Sequence, residues 1–181
     1  MPRIIAGKFR GARLLAPPGD TTRPTADRVR ESLFNVLQHR VHWPQAQVLD
    51  LFAGAGTLGC EALSRGAVAA RFVERDRQAL AALRKNVARF GPAATVHAQG
   101  VEQFLAQAPA PHDLIFLDPP YAAEAEAPTL TALVRRGWLA AEGLVCVEHP
   151  ADRTVTPPAG LAVVQTRRYG ATAVTLFAPE I

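Results

Sequence analysis

QVLDLFAGAGTLG, residues 47–59, joins an apolar run to a glycine turn and then to a helical pattern. Val48, Leu49, Leu51 and Phe52 surround a single carboxylate, Asp50. Gly54, Gly56 and Gly59 follow in the G-x-G-x-x-G spacing. Glycines there let the backbone turn tightly and come close to a ligand, and the helix that follows offers free N–H groups. The spacing alone serves NAD, FAD and S-adenosylmethionine sites equally. Asp50 narrows the choice. A carboxylate just before the turn suits a cationic group, such as the amino group of a methionine moiety, and sits badly beside a pyrophosphate.

Outward from this unit, strand-like runs alternate with helical ones. Strands are predicted at 47–52, 69–74, 94–98, 113–118 and 143–148, with helices at 57–65, 76–90, 100–107 and 126–137. Apolar strands separated by helices make a parallel sheet covered on both faces. Runs at 161–168 and 172–178, joined at Tyr169-Gly170-Ala171, must pair antiparallel. The expected fold is α/β, a doubly wound sheet of about seven strands with the last reversed. Such sheets bind ligands at the C-terminal ends of their strands.

Upstream, residues 3–15 read as a small hairpin around Gly7 and Gly11, and 16–24 as a loop. A helix is predicted over 25–40, capped by Thr25 or Asp27. Val29, Leu33, Val36 and Leu37 form its apolar stripe, and Arg28, Arg30 and Glu31 fall largely off it. Two units result: a basic extension, 1–40, and the α/β domain, 41–181.

Composition fits this division. The chain of 181 residues is 49% hydrophobic and 20% charged, ordinary for a protein with a real core. Its net charge is +4, all of it in the first forty residues. They hold eight basic and three acidic residues, whereas the remainder holds 12 and 13. Clustered Arg attracts polyanions and forks onto phosphate oxygens, although an Arg-rich solvated surface would look the same. No apolar run spans a membrane and the N-terminus lacks a signal region, so a soluble cytoplasmic protein is expected. Cys60 and Cys146 lie far apart with no metal-type spacing, so neither a disulfide nor a metal is expected.

Two further strand ends carry chemistry. Glu74, in FVERD (72–76), stands where an acid can accept both hydroxyls of a ribose. Asp76 suits the N-cap of the next helix. LDPPY (117–121) closes another strand with Asp118, Pro119, Pro120 and Tyr121. An amine conjugated to a base ring is a poor nucleophile. It improves when acceptors bind its hydrogens and turn its lone pair toward a methyl donor. Asp118 and the Pro119 carbonyl supply two acceptors, the prolines stiffen the loop, and Tyr121 can stack on a flipped base.

Together these stretches resemble the class I, Rossmann-like S-adenosylmethionine-dependent methyltransferases of exocyclic amines. More narrowly, the chain resembles the bacterial small-subunit ribosomal RNA guanine-N2 methyltransferases, which act on guanine 966 of 16S RNA. RIIAGKFRGARL (3–14), RPTADRVRESLFN (23–35), GWLAAEGLVCVE (137–148) and RRYGATAVTLF (167–177) carry the resemblance beyond the shared motifs. It covers essentially the whole chain. It implies that Asp50, Phe52, Ala53, Gly54, Gly56 and Gly59 hold the methionine end of S-adenosylmethionine and Glu74 the ribose. Asp118, Pro119 and Tyr121 would hold the target guanine. Arg10, Arg23, Pro24, Thr25, Arg28 and Arg30 would contact RNA and close over the site. An Asp often follows the third strand in such enzymes to hold the adenine amine. Here HAQGVEQFL stands instead, which leaves Gly100, other backbone groups or Gln99 for that contact.

The expected partner is 16S RNA in the small ribosomal subunit or an assembly intermediate, bound by a monomer. An adenine-N6 or cytosine-N4 methyltransferase would carry the same catalytic motif. An NAD-dependent oxidoreductase conflicts with Asp50 and the DPPY clamp. A non-catalytic RNA-binding assembly protein has no need of Asp50, Glu74 and Asp118 together. His97, His112 and His149 have no partner at triad or metal spacing.

Overall fold

Seven strands form one sheet in the order β3-β2-β1-β4-β5-β7-β6, in a computed structural model that describes residues 1–19 and 24–181. The strands are β1 (Gln47–Leu51), β2 (Ala69–Glu74), β3 (Ala94–Ala98), β4 (His112–Leu117), β5 (Leu139–Pro150), β6 (Leu161–Tyr169) and β7 (Thr172–Pro179). β1 to β5 run parallel. β7 enters between β5 and β6, antiparallel to both. The reversed final strand and the doubly wound order agree with the pattern read from sequence.

Five helices accompany the sheet among the described residues: α1 (Pro24–Leu37), α2 (Thr57–Ser64), α3 (Arg77–Val87), α4 (Val101–Leu105) and α5 (Glu126–Arg136). Leu49, Leu51, Ile115, Leu117, Val145 and Val147 face α4 and α5 in one core cluster. Val48, Leu114, Phe116 and Cys146 belong to the other, with α2 and α3. That alternation along each strand is why both faces need apolar residues and the strands read as continuous runs. Asp76 caps α3, accepting from Ala79 N at 2.8 Å.

α1 belongs to the sheet's core rather than to a separate one. Val29, Leu33, Phe34 and Leu37 are buried in the same cluster as Phe72 and Phe116. Its free edge is tied to the turn between β6 and β7, where the hydroxyls of Ser32 and Tyr169 meet at 2.6 Å. α1 begins at Pro24, so Asp27 lies in its first turn rather than at the cap.

The N-terminal hairpin of the sequence reading reduces to one antiparallel bridge, Arg3 with Arg13. Turns replace the ladder, because Gly7 and Gly11 both take positive φ. Backbone bonds from Ile4 N to Ala12 O, Gly11 N to Ile4 O and Leu14 N to Pro2 O join the two segments, and side chains of α2 hold the arm as well. Glu61 accepts from Ile5 N at 2.7 Å and Ala6 N at 3.0 Å, and Ser64 Oγ accepts from Phe9 N at 2.9 Å. Gly7 lies so close to the Ser64 carbonyl that a Cβ would sit 1.8 Å from its oxygen. Cys60 and Cys146 are both free and buried.

Candidate active site

The strand ends β1, β2 and β4 converge on two adjoining cavities. The larger, about 1100 Å³, is lined by Glu74, Gln99, Gly100, Val101 and Pro119. The smaller, about 780 Å³, lies under α1 and the β6–β7 turn and is lined by Asp27, Arg30, Leu33 and Tyr169. Phe52, Gly54, Asp118, Tyr121 and Glu148 line both. The Asp-Pro-Pro-Tyr segment therefore stands at the boundary between two binding spaces.

The glycine turn is built from unusual backbone. Phe52 has φ 56°, Gly54 φ 57° and Gly56 φ 81°. A Cβ at Gly54 would meet nothing within 4 Å, so this face of the turn is open to a ligand. Gly56 and Gly59 are glycine for another reason. A Cβ would lie 2.4 Å from Leu83 Cδ1 at Gly56 and 2.3 Å from Phe72 Cε1 at Gly59. The turn is braced from three sides. Gly54 N donates to Glu74 Oε2 at 2.8 Å, Gly59 N donates to Asp50 Oδ2 at 2.9 Å, and Asn86 Nδ2 donates to Ala55 O at 2.9 Å. Asn86 also pairs with both backbone groups of Leu15, which joins the N-terminal arm to the cofactor turn.

Asp50 and Glu74 thus act on the protein's own backbone. Asp50 is 1% exposed and lines neither cavity. Burial pushes its carboxyl up to about 8, partly offset by the Gly59 N–H and reinforced by Glu74. Glu74 accepts from Gly54 N, and from Arg75 N and Asp76 N on its other oxygen. A carboxylate offers about four lone-pair sites, so Oε2 keeps one for a hydroxyl.

Asp118 follows Leu117, and Glu148 follows Val147, its register partner on the neighbouring strand. The two acids are therefore side by side. Both are pushed upward, first by burial, and Asp118 also by the charge of Glu148 and then Asp50. Tyr121 OH lies 3.5 Å from Glu148 Oε1 and 3.1 Å from Thr172 Oγ1, and Arg153 donates to Tyr121 O at 3.2 Å. Tyr121 is 40% exposed, unusual for a large ring and open to stacking. Glu148 did not stand out in the sequence. Its only signal is that it ends the run GLVCVE, as Asp118 ends DLIFLD.

The arginines expected to meet RNA divide. Arg10 and Arg28 are exposed. Arg30 is 6% exposed, which corrects the expectation of a group off the apolar stripe and free for phosphate. The N-terminal arm covers it: Nη2 donates to Arg3 O at 2.6 Å and pairs with Asp27 at 3.2 Å. Burial lowers its pKa against the pull of Asp27. Arg23 lies outside the described residues, and Pro24 and Thr25 are placed only as the first backbone of α1. Among the described residues, no group of three His, Cys, Asp or Glu could hold a metal, and no helix is long and apolar enough to cross a membrane.

This arrangement has known counterparts. Residues 2–178 match the family described as conserved hypothetical protein 95. The chain belongs to this family. It is 41% identical, over 98% of its length and 90% of the relative's, to the ribosomal RNA small subunit methyltransferase D of Escherichia coli. A putative rRNA methyltransferase of Bacillus subtilis is 37% identical, covering 97% of each chain. A solved structure described as a putative methyltransferase from Escherichia coli superposes with TM-score 0.88 at 39% identity, covering 99% of this chain and 98% of the other. Family membership agrees with the resemblance drawn from the sequence, and with a class I methyltransferase sheet.

Proposed function

We propose that this protein transfers a methyl group from S-adenosylmethionine to the exocyclic N2 of a guanine in 16S RNA. The small ribosomal subunit, or a precursor of it, would present that guanine in the cytoplasm to a monomeric enzyme. One observation carries the reading: Asp118 and Tyr121 stand on the wall shared by the two cavities. One cavity lies beneath a glycine turn and Glu74, the other beneath α1. The names of the relatives support an RNA of the small subunit as substrate.

The residues fit the cofactor. Gly54 leaves the turn open, and Glu74 Oε2 retains acceptor capacity for ribose. Gln99 and Gly100 line the far end, where the adenine would lie. When bound, S-adenosylmethionine supplies an electrophilic methyl on sulfonium. The protein's part is placement. Asp118 accepts a hydrogen bond from the amine and turns its lone pair toward the neighbouring cavity, and the proton that the nitrogen sheds on taking the methyl leaves to this carboxylate or to solvent. Tyr121 stacks on the base once it has left its helix. Holding both partners in line accounts for most of the acceleration. The basic residues of 1–40 that remain exposed, Arg10 and Arg28 among them, would meet phosphates, with 41–181 as the catalytic domain.

The test is transfer of labelled methyl to four samples: small subunits lacking the modification, naked 16S RNA, duplex DNA and no acceptor. N2-methylguanosine in the subunit sample, identified by mass spectrometry, is the expected result. Methylated adenine or cytosine in DNA would keep the cofactor and discard the ribosome.

A further inference from the structure

The catalytic motif by itself treats guanine N2, adenine N6 and cytosine N4 alike. All three are amines on a planar ring, and Asp118 can accept a hydrogen from each. The difference lies in the ring atom beside the amine on the Watson–Crick edge. In guanine it is N1–H, a donor. In adenine it is N1 and in cytosine N3, each a bare lone pair. A second acceptor next to Asp118 would bind guanine and repel the other two.

The sheet provides that acceptor. Glu148 lies beside Asp118, one residue past the register pair Leu117 and Val147. It lines both cavities, as Asp118 does. Its Oε1 is approached by Tyr121 OH at 3.5 Å, and that hydroxyl is itself anchored at 3.1 Å on Thr172. Two neighbouring carboxyl groups facing one space repel each other, and nothing within the described residues forms a salt bridge to either. A base edge with two adjacent donors relieves that repulsion.

We propose that Glu148 is the specificity residue: it accepts N1–H of guanine while Asp118 accepts from N2. This rests on the methyltransferase reading above and adds to it the reason for guanine. Neither group forms a covalent bond to the base, and the methyl step is unchanged. A buried acceptor facing a lone pair costs far more than a lost methylene, because neither polar group is then satisfied.

The test uses small subunits reconstituted with 16S RNA carrying guanine or 2-aminopurine at the methylated position. 2-Aminopurine keeps the amine but has a lone pair at N1. The wild-type protein is expected to prefer guanine by on the order of 10⁴-fold in kcat/KM. Glu148→Gln keeps an acceptor for Tyr121 and can turn its amide N–H toward a lone pair. It should lose activity on guanine and gain on 2-aminopurine, collapsing the preference to within a few-fold. Because 2-aminopurine also lacks O6, the change in preference between the two proteins carries the assignment. Equal losses on both bases would make Glu148 a support for Tyr121 and overturn the proposal. So would wild-type acceptance of 2-aminopurine within a few-fold of guanine, a result that needs no variant. Failure of the wild type to methylate a guanine amine would instead remove the methyltransferase reading, and this inference with it.

Discussion

Arg30 gives its Nη2 to the carbonyl of Arg3 at 2.6 Å, so a guanidinium from α1 closes the N-terminal arm over the helix. Arg28, two residues earlier, is exposed. Neighbours in sequence therefore have different work. Arg28→Glu should weaken binding to small subunits and flatten its salt dependence, with the melting temperature within about 1 °C. Arg30→Ala should do the reverse, costing about 1–3 kcal/mol of stability as a buried hydrogen bond and its packing are lost. Filter binding at several salt concentrations, with thermal melts alongside, separates the two. Unchanged binding by Arg28→Glu would reduce that basic face to ordinary surface.

Asp118→Ala should abolish methyl transfer and leave cofactor affinity, measured by calorimetry, within a few-fold. Loss of cofactor binding instead would refute the amine clamp. Burial and the charge of Glu148 raise the Asp118 carboxyl, and a protonated group is a poorer acceptor. The single-turnover rate should therefore rise with pH until Asp118 has ionised, and then level off. A rate that falls over the same interval would assign the controlling proton elsewhere.

Asp50 makes a prediction of opposite character, about stability. Its carboxyl titrates near 8 in the folded protein against 3.8 in the reference state. Between these values the folded state holds the proton that the unfolded state has released. Stability from this group is thus complete below about pH 4 and is lost as pH rises toward 8, by several kcal/mol at most. Asp50→Asn retains an acceptor for Gly59 N–H. Relative to wild type, its melting temperature should improve steadily from pH 5 to pH 8. Parallel curves for the two proteins would show that Asp50 is ionised throughout.

Gly59 and Gly54 should fail differently. Gly59→Ala drives a Cβ to 2.3 Å from the Phe72 ring, which should lower stability by about 1–3 kcal/mol. Gly54→Ala meets no atom and suffers only its positive φ, about 1 kcal/mol. Its methyl would project into the open space above the turn, so cofactor affinity should fall more than stability does. Equal effects of both changes on melting would contradict the separation.

Much of this was legible in the chain because strand ends are marked by chemistry. An apolar run with Asp50 one residue before its end, or one that stops on Glu74 or Asp118, announces both the sheet and its functional edge. What stayed hidden depends on long-range register or cover. Glu148 becomes notable only when β5 aligns beside β4, a relation between residues thirty apart. Arg30 is off the apolar stripe by helical spacing, yet an arm more than twenty residues away buries it. Asp50 suggested a ligand contact, and the sequence did not show that its Oδ2 also accepts from Gly59 N, nine residues on in α2. The N-terminal runs have β-like composition, but two positive-φ glycines within five residues leave room for one bridge.

One short strand holds the sheet's antiparallel border together. β6 meets no other strand of the sheet, so it is attached only through β7, which fills the gap beside β5. The same eight residues, Thr172–Pro179, cover one edge of β5 and one edge of β6. A lesion confined to β7 would therefore release β6 and bare β5 together, and unpaired strand edges invite intermolecular pairing.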